Sequence, residues 1–311
     1  MPVSAHSHSG QFCRHAEGTL EEMVTTAIAE GFETYALTEH VPRFDRRYLY
    51  PEENDMPLEA LQTQFAGFLA EADRLQQKYA GQIDLVIGCE TEYVNASDCA
   101  SLASYLASVT QGRHVPLMTV GSVHHVHEHP FDFSANAWGT ALASFGGDPV
   151  AMYCAYYDAH LAMVDALTPR VIGHLDLIGK YASAHGVDHL ATVFDARVWP
   201  RVVRNVDRAI AVGALVEISA RGFPHARVAE RIASECPNVQ WTLSDDAHAP
   251  AAVGLGYLAV LPAYVAEVGI ASVWQWNSRL EKVEVPVGGS AWTRFFAGAE
   301  RRAREEQRER E

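Results

Sequence analysis

The sequence is organised around the stretch Ala5-His6-Ser7-His8-Ser9-Gly10-Gln11-Phe12-Cys13-Arg14-His15, which carries three histidines within ten residues. If this stretch begins as an extended strand, His6 and His8 project from the same face, so both imidazoles can reach one metal ion. A His-x-His pair alone is weak evidence for a site, because such pairs arise easily by chance. The functional prediction therefore depends on what the rest of the chain brings to this stretch.

The length and composition of the chain are typical of one large globular domain. Its 311 residues suit a single α/β barrel, which usually needs about 250 residues. Hydrophobic residues make up 48% and charged residues 20%, which is enough apolar material for a full core. Acidic residues outnumber basic ones by 39 to 24, and the net charge of -15 disfavours nucleic acid as a partner.

The cysteines and the N-terminus bear on the location of the protein. The five cysteines are odd in number and form no Cys-x-x-Cys pair, so we expect mostly reduced thiols in a reducing compartment. No run of about 18 apolar residues is apparent, and the N-terminus lacks the basic-then-apolar layout of a secretory signal. These features predict a cytoplasmic protein with no membrane partner.

The hydrophobic pattern predicts alternating strands and helices. Thr19 and Glu22 form a capping-box pattern that starts a first helix, and residues 58–79 have the spacing of a long amphipathic helix. Seven strands are predicted near the N-terminus and at 34–38, 83–88, 118–123, 170–173, 214–218 and 239–243, with one more at 271–276. This alternation predicts a parallel sheet closed into a barrel. A charged C-terminal helix or tail is expected over 291–311.

A histidine or a carboxylate stands at the C-terminal end of almost every predicted strand. In chain order these residues are His6, His8, Glu39, His40, Glu90, His124, His125, His174, Asp176, Glu217, Asp245, Asp246 and His248. Each alone has a structural explanation as a core residue, a cap or a surface charge. Because the C-terminal ends of parallel strands meet on one face of a barrel, their repetition over seven strands predicts a shared site there.

The chemistry of this set points to metal-dependent hydrolysis. The imidazoles and carboxylates exceed the four ligands of one tetrahedral ion, so we predict several ions, with a carboxylate such as Glu90 bridging two of them. Paired ions activate water at neutral pH and neutralise phosphoryl oxygens, which makes them the usual apparatus for phosphate-ester hydrolysis. Such mixed ligands suit zinc, iron, manganese or cobalt.

Several segments resemble the polymerase and histidinol phosphatase (PHP) family. They are the His-x-His start, Thr38-Glu39-His40, Gly88-Cys89-Glu90, Gly121-Ser122-Val123-His124, Gly173-His174-Leu175-Asp176-Leu177-Ile178 and Leu243-Ser244-Asp245-Asp246-Ala247-His248. Within the family, residues 6–15, 38–42, 121–125 and 131–133 resemble the fungal-type histidinol-phosphatases. The likeness runs in the expected order from residue 3 to about residue 265.

The resemblance implies a distorted (β/α)7 barrel, with a single PHP phosphoesterase domain over 1–290 and a trinuclear metal centre at the strand ends. It also implies hydrolysis of L-histidinol phosphate in histidine biosynthesis, or alternatively of another small phosphate ester or nucleotide. The implied ligands are His6, His8, Glu90 and Asp246 for the first ion, Glu90, His124 and His174 for the second, and His15, His40 and His248 for the third. Glu90, Asp246 and His248 are the predicted catalytic residues.

Two departures from the family pattern bear on this assignment. The family often has an acid two residues before the first histidine, whereas this chain has Ser4, so a supporting hydrogen bond is in doubt. His125 stands beside His124, and Asp245 stands beside Asp246, so either assignment is open to a shift of one residue.

Substrate binding requires further charged residues. Arginine matches the geometry of phosphate best, so Arg221 is the first candidate, with Arg14 and Lys180 behind it. The ammonium and imidazole of the substrate would suit an acidic neighbour, for which the candidates are Asp132, Glu128 and Asp45.

Two other classes of protein stay open. An amidohydrolase-type (β/α)8 enzyme also begins with His-x-His but usually bridges its metals with a modified lysine on a middle strand. Here Glu90 stands where that bridge is needed, and Lys180 lies beyond the end of its strand. A non-enzymatic metal-binding protein is disfavoured, because a structural site is closed with cysteine and histidine rather than rich in carboxylates.

Overall fold

The structure is a computed structural model that describes residues 3–310, without the side chains of residues 258 and 301–310. The strands are β1 (Val3–Ser4), β2 (Thr34–Leu37), β3 (Asp84–Glu92), β4 (Met118–Ser122), β5 (His125–Val126), β6 (His129–Pro130), β7 (Val171–Ile172), β8 (Leu215–Ser219), β9 (Trp241–Ser244), β10 (Ser272–Trp276) and β11 (Lys282–Pro286). The helices are α1 (Leu20–Ala29), α2 (Leu58–Lys78), α3 (Ala96–Thr110), α4 (Ala135–Ala143), α5 (Pro149–Leu167), α6 (His189–Val193), α7 (Trp199–Val212), α8 (Ala226–Glu235), α9 (Leu255–Ala259), α10 (Leu261–Val268) and α11 (Ser290–Arg310). Short 3-10 helices lie at Arg46–Tyr48, Pro51–Glu53, Leu177–Gly179, Ala182–His185 and Pro250–Ala252.

Seven parallel strands form the central sheet, in the order β1-β2-β3-β4-β7-β8-β9. The sheet closes on itself because the Ala5 amide donates to the Leu243 carbonyl at 2.9 Å and the His8 amide donates to the Ala247 carbonyl at 2.8 Å. Helices occupy each connection between neighbouring strands, which is the pattern that covers a parallel sheet. The prediction of a distorted (β/α)7 barrel is confirmed.

An antiparallel hairpin closes the N-terminal end of this barrel. The strand predicted at 271–276 is β10, and it pairs with β11 rather than with a barrel strand. The chain reverses there because the Asn277 side chain accepts hydrogen bonds from the Arg279 and Glu281 amides. Trp276 packs on the barrel interior, and its indole N–H donates to the Arg170 carbonyl at 3.1 Å. The site of the C-terminal strand ends therefore lies at the opposite mouth.

We expect Trp276→Ala to lower the free energy of unfolding by about 3–5 kcal/mol, because truncating a buried indole leaves a cavity. Trp276 is 7% exposed and shares its cluster with Val86, Val120 and Val171 inside the barrel. Urea unfolding measures the change, with Trp274→Ala as the control on the same hairpin. Trp274 is only partly buried, so its truncation should cost less. Equal losses in the two variants would contradict the assignment of Trp276, rather than Trp274, to the packed interior of the barrel.

The outer helices match the predicted ones closely. Thr19 caps α1 in a reciprocal capping box with Glu22, as predicted. The predicted long helix is α2, and its Phe65 and Phe68 are buried in the main hydrophobic cluster. Helix α11 lies where the charged C-terminal helix was expected, although residue 311 falls outside the described residues. The domain boundary at residue 290 stays a prediction.

One segment of the described chain, Pro250–Val268, is long and apolar enough to cross a membrane by composition. This corrects the expectation that no such run occurs. In the structure the segment is divided into a 3-10 helix, α9 and α10, and Leu261 and Val265 are buried in the core. Core helices of globular proteins can have the same length and apolar composition, so this segment is weak evidence for a membrane-spanning helix. The expectation of no membrane partner stays a prediction.

Candidate active site

A cavity of about 720 Å³ opens at the C-terminal ends of the barrel strands. One side of it carries metal-ligand types of side chain, namely His15, His40, Glu90, His124, His174, Asp246 and His248. Another side is apolar, with Phe133, Leu177, Phe223, Leu255 and Val260. His6 and His8 are buried in contact with Glu90. The barrel thus brings together all the predicted metal ligands.

Glu90 lies at the centre of this cluster. Its Oε2 is 3.4 Å from Nε2 of both His6 and His8, whereas its Oε1 is 3.0 Å from Nε2 of His174 and 3.4 Å from Nε2 of His124. Burial opposes ionisation of this carboxyl, but the surrounding imidazoles outweigh it and hold the pKa of Glu90 well below its usual range. The two oxygens of one ionised carboxylate therefore face two separate groups of imidazoles, as a bridging ligand would.

The first group contains His6, His8, Glu90 and Asp246. Asp246 Oδ1 lies 3.8 Å and 3.7 Å from Nε2 of His6 and His8, and it is buried without a hydrogen-bond partner among the described residues. A buried polar atom left without a partner calls for an explanation, and a cation between these ligands supplies one. Asp246 has a φ of 47°, a left-handed conformation that suggests local strain at the site. The donor set fits a divalent ion.

The structure distinguishes Asp246 from its neighbour. Asp245 lines the same cavity, but its carboxylate accepts from the Ser4 hydroxyl at 2.5 Å and from the Gly254 amide at 3.0 Å. Burial raises the pKa of Asp245 to about 6. Asp245 is therefore held by Ser4 and the Gly254 amide, whereas Asp246 faces the imidazoles.

His124 and His125 also point in different directions. His124 presents Nε2 to Glu90, while its Nδ1 donates to Glu92 at 2.7 Å. His125 donates its Nδ1 to the other oxygen of Glu92 at 3.2 Å, and its ring stands edge-on to Tyr48. His124 is therefore the member of this pair that faces the cavity.

Two further groups of possible metal ligands share His40. His8, His40 and His248 make one group, and Cys13, His15 and His40 make the other, with all ligand atoms of each group within 4.8 Å of one another. Nε2 of His40 is 3.2 Å from Nε2 of His15. His15, His40 and His248 are therefore close to one another, but neither group contains all three, and their joint role as ligands of a third ion stays a prediction. Sequence reasoning missed Cys13, although it stands two residues before His15, and its Sγ is 3.2 Å from His15 Nε2.

Four carboxylates contact these imidazoles at Nδ1, the ring nitrogen opposite the one that faces the other ligands. Nδ1 of His6 is 3.1 Å from Glu217, Nδ1 of His8 is 3.5 Å from Glu39, Nδ1 of His15 is 2.7 Å from Glu52, and Nδ1 of His124 is 2.7 Å from Glu92. A carboxylate that holds the proton on Nδ1 leaves Nε2 free to bind a metal. Glu39 and Glu217 stood at predicted strand ends, but Glu52 and Glu92 were missed. Glu92 lies two residues beyond Glu90 on β3, a strand spacing that places both on one face.

Two of the three predicted phosphate ligands lie in the cavity. Arg221 lines it and pairs with Asp246 at 2.6 Å, while Lys180 lines it next to Asp132. Burial lowers the pKa of Lys180, against the opposing charge of Asp132. Arg14 lies outside the lining of the cavity, because its guanidinium bonds Asp55 at 2.6 Å on the protein surface. The structure therefore does not support Arg14 as a phosphate ligand.

One of the three acidic candidates for the substrate cation reaches the cavity. Asp132 lines it, beside Phe133. Glu128 bonds Asn95 and faces Arg47 at 3.5 Å, and Asp45 pairs with Arg47 at 2.8 Å. The last two lie outside the cavity lining.

Comparison with known proteins agrees with this architecture. A model of the PHP domain matches residues 4–220. A protein of Schizosaccharomyces pombe named "Probable histidinol-phosphatase" is 37% identical over 281 residues, which cover 88% of this chain and 89% of that protein. The histidinol-phosphatase of Saccharomyces cerevisiae is 29% identical over 290 residues, covering 82% of this chain and 85% of that one.

A solved structure shows the same fold. It is the histidinol phosphate phosphatase of Lactococcus lactis subsp. lactis, complexed with zinc, L-histidinol and phosphate. The two structures superpose with a TM-score of 0.61 at 15% identity, over 89% of this chain and 97% of that one. Since the PHP domain match spans most of the chain and a relative is similar over nearly its whole length, this protein belongs to the PHP family.

Proposed function

We propose that this protein hydrolyses L-histidinol phosphate to L-histidinol and phosphate, with three divalent metal ions, in histidine biosynthesis. The observation that carries the proposal is Glu90, whose two oxygens face two groups of imidazoles beside Arg221 and Lys180 in one cavity. The histidinol-phosphatases among its relatives supply the substrate to test first.

The described ligands would hold three ions. The proposed sets are His6, His8, Glu90 and Asp246 for the first ion, Glu90, His124 and His174 for the second, and His15, His40 and His248 for the third. The third set draws on both of the groups that share His40. Ions bound there would supply an activated water and neutralise the phosphoryl oxygens. Imidazole and carboxylate ligands suit zinc, iron and manganese, and the relative crystallised with zinc makes that metal the first to test.

The residues of the chain then bind and orient the ester. Arg221 offers a guanidinium fork to two phosphoryl oxygens, and the Lys180 ammonium adds a second positive charge. His248 donates Nδ1–H to the Asp246 carbonyl at 2.9 Å, which leaves its Nε2 as an unprotonated ligand or base. The apolar wall formed by Phe133, Phe223 and neighbouring residues would contact the imidazole end of the substrate.

We also propose a cytoplasmic location. All five cysteines are free thiols, and four of them are buried, as a reducing compartment permits. Expression of the full chain with a fluorescent C-terminal tag tests the location directly. An even cytoplasmic signal is expected, and enrichment in a membrane-bound organelle would contradict it.

The test of the proposed function is phosphate release from L-histidinol phosphate by the metal-loaded protein. A panel of nucleotides and small phosphomonoesters serves as the comparison, and we expect selective cleavage of histidinol phosphate. Cleavage of another ester while histidinol phosphate stays intact would make the alternative PHP phosphoesterase correct. If the metal-loaded protein hydrolyses none of these esters, the alternative of a non-enzymatic metal-binding protein would be favoured.

A further inference from the structure

We propose that Asp132 binds an ammonium group of the substrate, so that the cavity selects phosphate esters of 2-amino alcohols. This inference rests on the proposed function, since it assumes that a phosphate ester is bound beside Arg221 and Lys180. It assigns a recognition role to a side chain that is not among the predicted metal ligands.

The first step is the separation of Asp132 from the other cavity carboxylates. Glu90 and Asp246 lie among the imidazoles, and Asp245 is bonded by Ser4 and the Gly254 amide. Within the part of the chain that the structure describes, no hydrogen bond reaches the side-chain oxygens of Asp132, which is 23% exposed. Its carboxylate is therefore available to a ligand in the cavity.

The second step is the position of Asp132 next to a cation suited to phosphate. Lys180 Nζ donates to the Asp132 backbone carbonyl at 2.8 Å and lies 3.9 Å from its Oδ2. A cation and a carboxylate thus stand side by side. In a 2-aminoalkyl phosphate, the ammonium is on the carbon next to the ester-bearing carbon, so its two charged groups are also close neighbours. When the phosphate meets Lys180 and Arg221, the ammonium is placed to reach Asp132.

The third step is charge balance. The cationic side chains that line the cavity with Asp132 are Lys180, 3.9 Å from its carboxylate, and Arg221. A bound phosphate pairs with these cations and reduces their hold on Asp132. The Asp132 carboxylate then lacks a cation of its own. An alkylammonium group supplies one, and its charged hydrogen bonds are stronger than hydrogen bonds between neutral groups.

The fourth step is the rigidity of the segment that carries Asp132. Phe131 is fully buried, and its amide donates to the His124 carbonyl at 3.0 Å. On the other side, Ser134 caps helix α4 through a hydrogen bond to the Ala137 amide. The backbone at Asp132 is therefore held at both sides, so the point from which its side chain enters the cavity is set before the substrate arrives, which favours selective recognition.

The test compares two pairs of esters that differ only in the ammonium group. L-histidinol phosphate is paired with 3-(imidazol-4-yl)propyl phosphate, and 2-aminoethyl phosphate is paired with ethyl phosphate. We expect the unmodified enzyme to prefer the ammonium-bearing member by roughly 10- to 100-fold in kcat/KM, the range of a charged hydrogen bond. In Asp132→Asn this ratio should fall toward one, mainly through KM, and Asp132→Glu should keep part of it.

Glu128→Gln is the matched control, because Glu128 is a nearby carboxylate outside the cavity lining. It should keep the full preference. Metal content and melting temperature equal to those of the unmodified enzyme would show that each variant is folded and loaded. An ammonium preference that survives in Asp132→Asn, or the lack of one in the unmodified enzyme for both pairs, would overturn the role of Asp132. Failure of the proposed function is seen separately, as intact L-histidinol phosphate beside cleaved 2-aminoethyl phosphate.

Discussion

Replacing Glu90 with glutamine is expected to remove bound metal and activity together. The amide presents one oxygen and one N–H2 group, so either the His6 and His8 pair or the His124 and His174 pair loses its shared carboxylate oxygen. The substitution also removes a buried negative charge that would balance the ions. Loss of a supporting residue around a metal costs roughly 10- to 100-fold in activity, and loss of a bridging ligand should exceed that range.

The measurement is metal content by mass spectrometry together with the rate of phosphate release. Glu92→Gln is the graded control, because Glu92 contacts His124 Nδ1 at 2.7 Å and would touch no ion itself. It should retain more metal than Glu90→Gln and lose roughly 10- to 100-fold in activity. Near-normal turnover with full metal content in Glu90→Gln would remove Glu90 from the mechanism.

Removing the metals with a chelator is expected to abolish activity and lower the melting temperature. His6, His8 and Glu90 are each at most 2% exposed, and Nε2 of His6 is 3.1 Å from Nε2 of His8. Without cations, these polar atoms are buried with poorly satisfied hydrogen bonds, which costs free energy. By mass action, a ligand present at 1,000 times its Kd stabilises the folded state by about 4 kcal/mol.

The experiment uses dialysis against a chelator, followed by addition of zinc, iron or manganese separately. Activity and melting temperature should both recover, and the metal that restores the most activity at the lowest concentration is the best candidate for the native one. Parallel dialysis against the same buffer without chelator serves as the control for losses that are not caused by metal removal. Full activity in protein shown to be free of metal would contradict the metal-dependent mechanism.

Some parts of the fold and site could be predicted from the sequence because their physical causes are local. The capping box of Thr19 and Glu22 fixes the start of α1, and apolar spacing over 58–79 marks α2. The location of the site followed from one topological rule, since a histidine or a carboxylate stood after almost every predicted strand and parallel strands end on one face. The roles of those residues rested on the family resemblance and stay proposals.

Other features of the site depend on backbone direction after each strand ends. His124 and His125 are adjacent in sequence, yet only His124 presents its ring to Glu90. Asp246 turns toward the imidazoles through a left-handed backbone, while Asp245 is bonded by Ser4. A loop conformation of this kind is decided by contacts between segments far apart in the chain, and such contacts leave no periodic signal.

The sequence by itself determined the seven strands, the helices between them and the types of ligand at the strand ends, because periodicity and chain order are local properties. Only the tertiary structure decided which carboxylates support the imidazoles, that Arg14 faces Asp55, and that Asp132 is the acidic candidate in the cavity. The reason is that orientation at a barrel mouth comes from several loops that meet only when the barrel closes between β1 and β9.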